Sequence, residues 1–465
     1  MKRRTFLKAT GVAALAAGLP GYARVHAGRW NLLFVMADQW RASALGHGSD
    51  SVVATPNIDR LMQQGLRCNR AYAANPVCAP SRASIMTGRL SHQHGVIENQ
   101  LTLPPRERGF AQGFADAGYD THYIGKWHLD GVDRPGFVPP GWRRHGFETF
   151  EGFNRGHRYE RSRTFANDGE LIVARGFEAS YQTDRAIHFI ETHRKAPFFC
   201  FLSWGPPHPA SFGPRPNARF ASKAPPWRPN VAARFRESEG LLYALGDYYG
   251  LCERLDVEMG RLLAALEGAG LADRTLVVFT SDHGDMLGSH GLLHKEHAYE
   301  ESLRVPLILR MPGRIKASGE SEALVSGIDL MPSLTSLCGL ETPETCTGRD
   351  LSGVLLGNGD ATPASSVYCQ GRMGSTKPRG RQLGKGPWRA VINERHKLVV
   401  DETGEVVLAV NLADDPYELE NLAGSPAHAA LVKDLEQQLK AWKARTKDPF
   451  PGPVVAAQPA YENGT

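Results

Sequence analysis

The sequence predicts an α/β protein: a large, mostly parallel sheet flanked by helices, followed by a smaller C-terminal subdomain of antiparallel strands and a helix. Three observations carry that expectation. Short, near-continuous apolar runs alternate with helical stretches, as strands buried on both faces do. Polar and charged residues stand directly after those runs, where open α/β sheets hold their ligands. The chain has 465 residues, enough for a large domain with an appendage, and its 42% hydrophobic and 22% charged residues are ordinary for a globular enzyme.

In chain order, Lys2-Arg3-Arg4-Thr5-Phe6-Leu7-Lys8 precedes a mild apolar stretch ending near Leu19, then Pro20 and the small-residue site Val25-His26-Ala27. Residues 1–27 therefore read as a twin-arginine export signal cleaved after Ala27, which makes the twin-arginine machinery a partner and a periplasmic or secreted location the expectation. The apolar run is too short for a span, which needs about 20 residues, and no later segment reads as one. Strands are expected over 31–37, 121–125, 197–203, 275–281 and 305–309. Leu251, Leu255, Met259, Leu262, Leu263 and Leu266 recur at helical spacing before Gly268 and Gly270, marking a core helix and its stop. Residues 205–229, rich in Pro and Gly, read as a loop over the cleft. The expected division is a catalytic domain over 28–355, a linker over 356–366, a C-terminal subdomain over 367–450 and a tail over 451–465. Within that subdomain 389–393, 396–400 and 406–410 alternate like antiparallel strands, and 427–444 reads as an amphipathic helix.

Charge and cysteines exclude some functions. The formal charge is +5, but residues 1–27 carry Lys2, Arg3, Arg4, Lys8 and Arg24 and no acid, so the remainder is neutral and gives no argument for nucleic acid. Of seven cysteines none forms a C-x-x-C pair, and Cys338 with Cys346 is the one pair close enough in sequence to suggest a loop disulfide.

Residues at strand ends are the candidate site. Asp38 and Gln39 follow the first strand, Lys126 and His128 the second, His208 the third, and Asp282 and His283 the fourth, so residues distant in sequence are expected to meet in one cleft. Asp38, Gln39, Asp282 and His283 make an oxygen-rich site for a hard divalent cation. The competing reading has Asp38 and Asp282 capping helices that start after their strands. A rival metal site, His290, His294 and His297 on one helical face for zinc, is opposed by Gly288 and Gly291, which break helices.

The run Cys78-Ala79-Pro80-Ser81-Arg82, then Thr87-Gly88-Arg89, resembles the modification signal of the type I sulfatases, in which the cysteine is oxidised to Cα-formylglycine. Taken alone, a buried structural cysteine beside a Pro-Ser turn competes with that reading. Further blocks are similar to the same family in order: 31–41, 55–59, Gly125-Lys126-Trp127-His128, 203–208, 281–291, Tyr299-Glu300-Glu301-Ser302, and near the C-terminus Lys397-Leu398, Asn411-Leu412 and Asp415-Pro416. The resemblance covers about residues 30–450 and implies the alkaline phosphatase-like fold.

It also implies a chemistry. Formylglycine at 78, made by a formylglycine-generating enzyme, would join Asp38, Gln39, Asp282 and His283 around one cation, calcium, with magnesium or manganese as alternatives. Hydrated, the aldehyde would attack through one hydroxyl and use the other to expel sulfate, a built-in release step. Arg82 and Lys126 would hold the nucleophile and the sulfate oxygens, His208 and Lys295 would bind sulfate and protonate the leaving oxygen, and His128 would deprotonate the second hydroxyl. Gln39 and His283 stand where many members have Asp and Asn, matching a subgroup that includes choline and iduronate sulfatases and phosphonate monoester hydrolases. The implied function is a sulfatase acting on a sulfated saccharide. A phosphonate monoester or phosphodiester hydrolase on the same scaffold is the alternative, and a non-catalytic glycan-binding relative is disfavoured because every catalytic side chain is kept. Basic clusters over 155–163 and at Lys377, Arg379, Arg381 and Lys385 agree with an anionic sugar.

Overall fold

Alternate residues of the first strand face two different cores. In β1 (Asn31–Asp38), Leu32, Phe34 and Met36 pack into one cluster and Leu33, Val35 and Ala37 into another, all essentially inaccessible to solvent. The side-chain period of two makes a strand with apolar residues at every position a central one, covered on both faces. The computed structural model describes residues 28–48, 52–132, 136–193, 196–209, 227–373 and 386–457.

Among these residues the remaining strands are β2 (Leu66–Tyr72), β3 (Asp120–Lys126), β4 (Thr149–Phe153), β5 (Arg163–Phe165), β6 (Leu171–Val173), β7 (Phe198–Pro207), β8 (Thr275–Ser281), β9 (Arg304–Val305), β10 (Leu307–Arg310), β11 (Gly319–Ser326), β12 (Ser366–Met373), β13 (Gly386–Asn393), β14 (His396–Val400) and β15 (Val406–Asn411). The first eleven form one sheet in the order β11-β2-β10-β8-β1-β7-β3-β4-β5-β6, with β9 on β2. Its centre, β8-β1-β7-β3-β4, is parallel, and antiparallel pairs flank it on both sides. Helices Cys78–Thr87, Phe110–Asp116 and Gly327–Leu337 cover one face, and Pro56–Gln63, Glu178–Thr192 and Glu239–Gly268 the other.

The expected strands are all present, with one break: Pro306 lacks an amide to donate and divides the predicted 305–309 run into β9 and β10. The long helix starts earlier than its apolar stripe, at Glu239, where the Ser238 hydroxyl accepts from the Leu241 amide, and it ends at Gly268. Gly270 then takes the left-handed conformation that glycine permits. None of the described helices is long and apolar enough to cross a membrane.

The four antiparallel strands β12-β13-β14-β15 form a second sheet. One face, with Cys369, Trp388 and Ile392, packs on Met286, Leu292 and Tyr299 from the loop after β8. The other, with Tyr368, Val391 and Leu398, packs on Leu435, Leu439 and Trp442 of the C-terminal helix Ala429–Thr446. The small sheet thus backs the long loop that leaves β8.

Candidate active site

The parallel strands β8, β1, β7 and β3 lie side by side, so their carboxyl ends open on one edge of the sheet. Asp38 ends β1, Lys126 ends β3, Asp282 and His283 follow β8, and His208 follows β7. No helix begins at Asp38 or Asp282: residues 39–48 run through turns, and 282–299 is irregular up to the short helix Glu300–Leu303. The helix-cap reading of the two acids therefore does not hold. Gln39 and His128 have positive φ, 70° and 61°, a conformation that costs a side-chain-bearing residue energy and re-aims the chain sharply at both strand ends.

Cys78 is the first residue of the wholly buried helix Cys78–Thr87, whose Val77 N-cap has no side-chain capping bond. Its sulfur lies 3.0 Å from Lys295 Nζ, 3.2 Å from His283 Nε2 and 3.8 Å from Asp38 Oδ1. Burial and Asp38 push the thiol up, but Lys126, Lys295 and His283 outweigh them and bring it down to about 5. A helix N-terminus favours the anion as well. The other cysteines whose shifts are resolved move the opposite way, Cys68 and Cys369 to about 12 through burial. Cys78 is thus set apart chemically from the structural thiols.

Two buried carboxylates and three cations surround it. Arg82 Nε donates to Asp282 Oδ2 at 2.9 Å and Arg82 Nη2 to Asp38 Oδ2 at 3.0 Å, while Nη1 reaches the Lys126 carbonyl and Ser203 Oγ, each at 2.7 Å. Lys126 Nζ also donates to Asp38 Oδ2. Burial alone would raise Asp38, yet the cations Lys126, Arg82 and Lys295 hold its carboxyl well below the usual range. For Asp282, burial and the Asp38 charge win and raise it. The amides of Gln39 and His283 both donate to Asp282 Oδ1, at 3.0 and 2.9 Å.

A divalent cation fits this donor set. Asp38, Cys78, Asp282 and His283 each present a ligand atom within 4.8 Å of the others, all buried. Gln39 Oε1 is beside them, taking a hydrogen bond from Lys295 Nζ at 2.7 Å, and its Nε2 donates to Asp285. With Arg82 and Lys126 on the Oδ2 atoms, the carboxylates are oriented from behind.

His128 and His208 complete the cleft. Burial, then Lys126 and Arg82, push His128 well below its ordinary value, so it is neutral, and its buried Nδ1 has no partner among the described residues. Burial and Lys295 likewise keep His208 neutral in the free protein. His208 Nδ1 lies 2.9 Å from the Pro209 carbonyl. Lys295 moves the other way: burial disfavours its charge, but Cys78 and Asp38 raise it.

All ten sequence-predicted residues meet here, with one difference in detail. The guanidinium of Arg82 is committed to Asp38, Asp282 and the end of β3, and Lys126 also points to Asp38, whereas Lys295 donates to the Cys78 sulfur. Asp285, Ser203 and His157 escaped the sequence reading. Asp285 was signalled only by its place two residues after His283, Ser203 by its place at the end of an apolar strand, and nothing local marked His157. His290 does not join His294 and His297: its ring stacks on Tyr299 at 3.8 Å, and its neighbours are Glu301 and Glu418. Those acids are balanced by Arg228 and Lys397, which leaves the zinc reading without support. Cys338 and Cys346 are both free: Cys338 is buried in the core, and the Cys346 sulfur faces the Gly88 carbonyl at 3.4 Å. The Lys377, Arg379, Arg381 and Lys385 cluster and the signal over 1–27 lie outside the described residues.

Comparison with known proteins finds similarity along most of the chain. The family model described as Sulfatase matches residues 30–340, and that described as N-sulphoglucosamine sulphohydrolase, C-terminal, matches 288–445. An ulvan-active sulfatase of Formosa agariphila is 31% identical over 430 residues, covering 90% of this chain and 82% of its own length. An N-acetylglucosamine-6-O-sulfatase of Bacteroides thetaiotaomicron is 27% identical, with 91% and 88% covered. A solved structure of a protein in complex with its substrate D-glucosamine-2-N,6-O-disulfate superimposes with a TM-score of 0.77 at 26% identity, covering 91% of this chain and 99% of that one.

Proposed function

This chain belongs to the sulfatase family and hydrolyses sulfate esters, and we propose that its substrate is a sulfated saccharide and its nucleophile is Cα-formylglycine made from Cys78. The observation that carries the reading is the Cys78 environment: a buried helix N-terminus, 3.0 Å from one ammonium and 3.2 Å from a histidine that also faces two carboxylates. The saccharide rests on the activities named for the bacterial relatives.

In this reading a hydrated aldehyde at 78 supplies one hydroxyl to attack sulfur in line and a second to release sulfate. Asp38, Gln39, Asp282 and His283 would hold a divalent cation, calcium in preference to magnesium or manganese, which would supply positive charge to an anionic ester. Lys126 and Lys295 offset the charge that develops on those oxygens. Arg82 keeps both acids in register. His208, neutral in the free protein, is positioned to gain a proton when an anionic ester binds beside it and to pass it to the leaving oxygen as the S–O bond breaks. His128, neutral with a free buried nitrogen, is suited to take the proton from the second hydroxyl.

Turnover in oxygen-18 water tests the reading. Label is expected in sulfate and absent from the sugar hydroxyl; label in the sugar means C–O cleavage and overturns these roles. Peptide mass spectrometry of the same active sample should show residue 78 without its sulfur. A preference for phosphonate monoesters over every sulfate ester tried would leave the nucleophile standing and replace the substrate. We also propose export through the twin-arginine route, supported by Arg3-Arg4 and the Val25-His26-Ala27 site, with N-terminal sequencing expected to begin at Gly28.

A further inference from the structure

His208 stands one residue beyond the last register pair of its strand, Asp38 with Pro207, so the sheet does not orient its ring. Something else holds it. Tyr159, fully buried between β4 and β5, lies with its hydroxyl within hydrogen-bond distance of the carbonyls of Gly205, at 2.8 Å, and His208, at 2.6 Å, so its single proton is shared between them. Two residues earlier in the same segment, the His157 ring lies flat on the His208 ring, with centroids 3.6 Å apart and planes 8° from parallel. One residue fixes the backbone of His208 and the other covers a face of its imidazole.

We propose that His157 and Tyr159 are positioning residues for His208, holding its ring where Nε2 serves the leaving oxygen; this rests on the reading of His208 as the proton donor. The hydrogen bond between His208 Nδ1 and the Pro209 carbonyl makes Nδ1 a donor in either charge state. The proton that can be transferred is then the one on Nε2. A half-turn of the imidazole about its Cβ–Cγ bond would break that hydrogen bond, whereas a tilt of the ring out of its plane would break the stack on His157. The hydrogen bond selects the nitrogen and the stack holds the ring plane, so together they fix where Nε2 stands before substrate binds, and general acid catalysis depends on that placement. Half-buried, His157 stays neutral, its pKa pushed down to about 2 by desolvation and Lys126, so it covers His208 without adding a second charge at close range. Its Nδ1 has no partner among the described residues, consistent with a ring placed for its face.

The test uses metal-loaded enzyme with conversion of residue 78 confirmed by mass, and two esters that differ in how much the leaving oxygen needs a proton: phenyl sulfate and 4-nitrophenyl sulfate. His157→Ala should lower kcat on phenyl sulfate about tenfold or more and on 4-nitrophenyl sulfate less than about threefold, with KM little changed on either. His157→Phe keeps a flat ring and should restore phenyl sulfate turnover to within about threefold of the parent. Tyr159→Phe should show the same selective loss as His157→Ala. Equal losses on both esters, a change confined to KM, or no rescue by phenylalanine would overturn the proposal. His208→Ala, run in parallel, separates the two claims. If it loses both esters equally, the proton-donor reading fails; if it shows the selective loss while His157→Ala behaves as the parent, that reading stands and the clamp fails.

Discussion

Cys78 and Arg82 sit one helical turn apart and have opposite relations to stability. The thiol is small, buried and held among cations, so Cys78→Ala should leave a folded protein whose turnover falls about a thousandfold or more, because no other group replaces the nucleophile. Arg82 neutralises two buried carboxylates at once. Removing it while keeping Asp38 and Asp282 leaves buried charge uncompensated, so Arg82→Met should cost about 3–5 kcal/mol. Urea unfolding of the two variants checks the contrast: an unchanged midpoint for Cys78→Ala and a clear drop for Arg82→Met. A parent-like midpoint for Arg82→Met would mean that the carboxylates are held by something other than the guanidinium. The types of these residues were legible in the C-A-P-S-R run. Their partners were not, because Arg82 meets Asp282 across 200 residues of chain, a distance that no local spacing encodes.

The strand ends carry the site, and β3 shows how narrowly. Gly125 has φ +98°, and a Cβ on it would stand 2.1 Å from the Ser203 carbonyl of β7. Glycine is required there twice over, by conformation and by the close approach of two backbones. Gly125→Ala should force β3 and β7 apart, destabilise the protein by about 2 kcal/mol or more and shift the adjacent Lys126, with loss of activity exceeding the loss of fold. Thermal unfolding beside kcat measures both; a variant of parent stability and activity would mean that the two strands separate without cost. Apolar runs made the central strands readable because those strands are covered on both faces. β2 and β11 were not read, since each is only partly buried and carries polar residues, Arg67 and Asn69 in one and Glu320 and Glu322 in the other, and the three-residue β5 and β6 are too short for a period to show.

The C-terminal segment is tied to the small sheet by Asp448, which accepts from Arg389, Tyr368 and Gln370. Burial alone would raise its carboxyl, but the Arg389 hydrogen bond and charge bring it down to about 2. An acid depressed in the folded state contributes stability that is fully present above its unfolded value, near 4, and is lost as pH falls towards 2. Asp448→Asn should therefore be less stable than the parent at pH 6, with the difference shrinking below about pH 4 and gone near pH 2, as followed by circular dichroism during denaturant titrations. A gap that stays constant with pH would assign the effect to shape. The layered α/β fold, the small sheet with its helix, the proposed nucleophile and the strand-end acids were all readable in the chain, because side-chain period, turn residues and a contiguous motif are local properties. The strand order β8-β1-β7-β3, the commitment of Arg82 to two carboxylates, and the stacking of His157 on His208 belong to the folded molecule alone. They depend on which elements pack side by side, and that is set by burying both faces of the sheet at once.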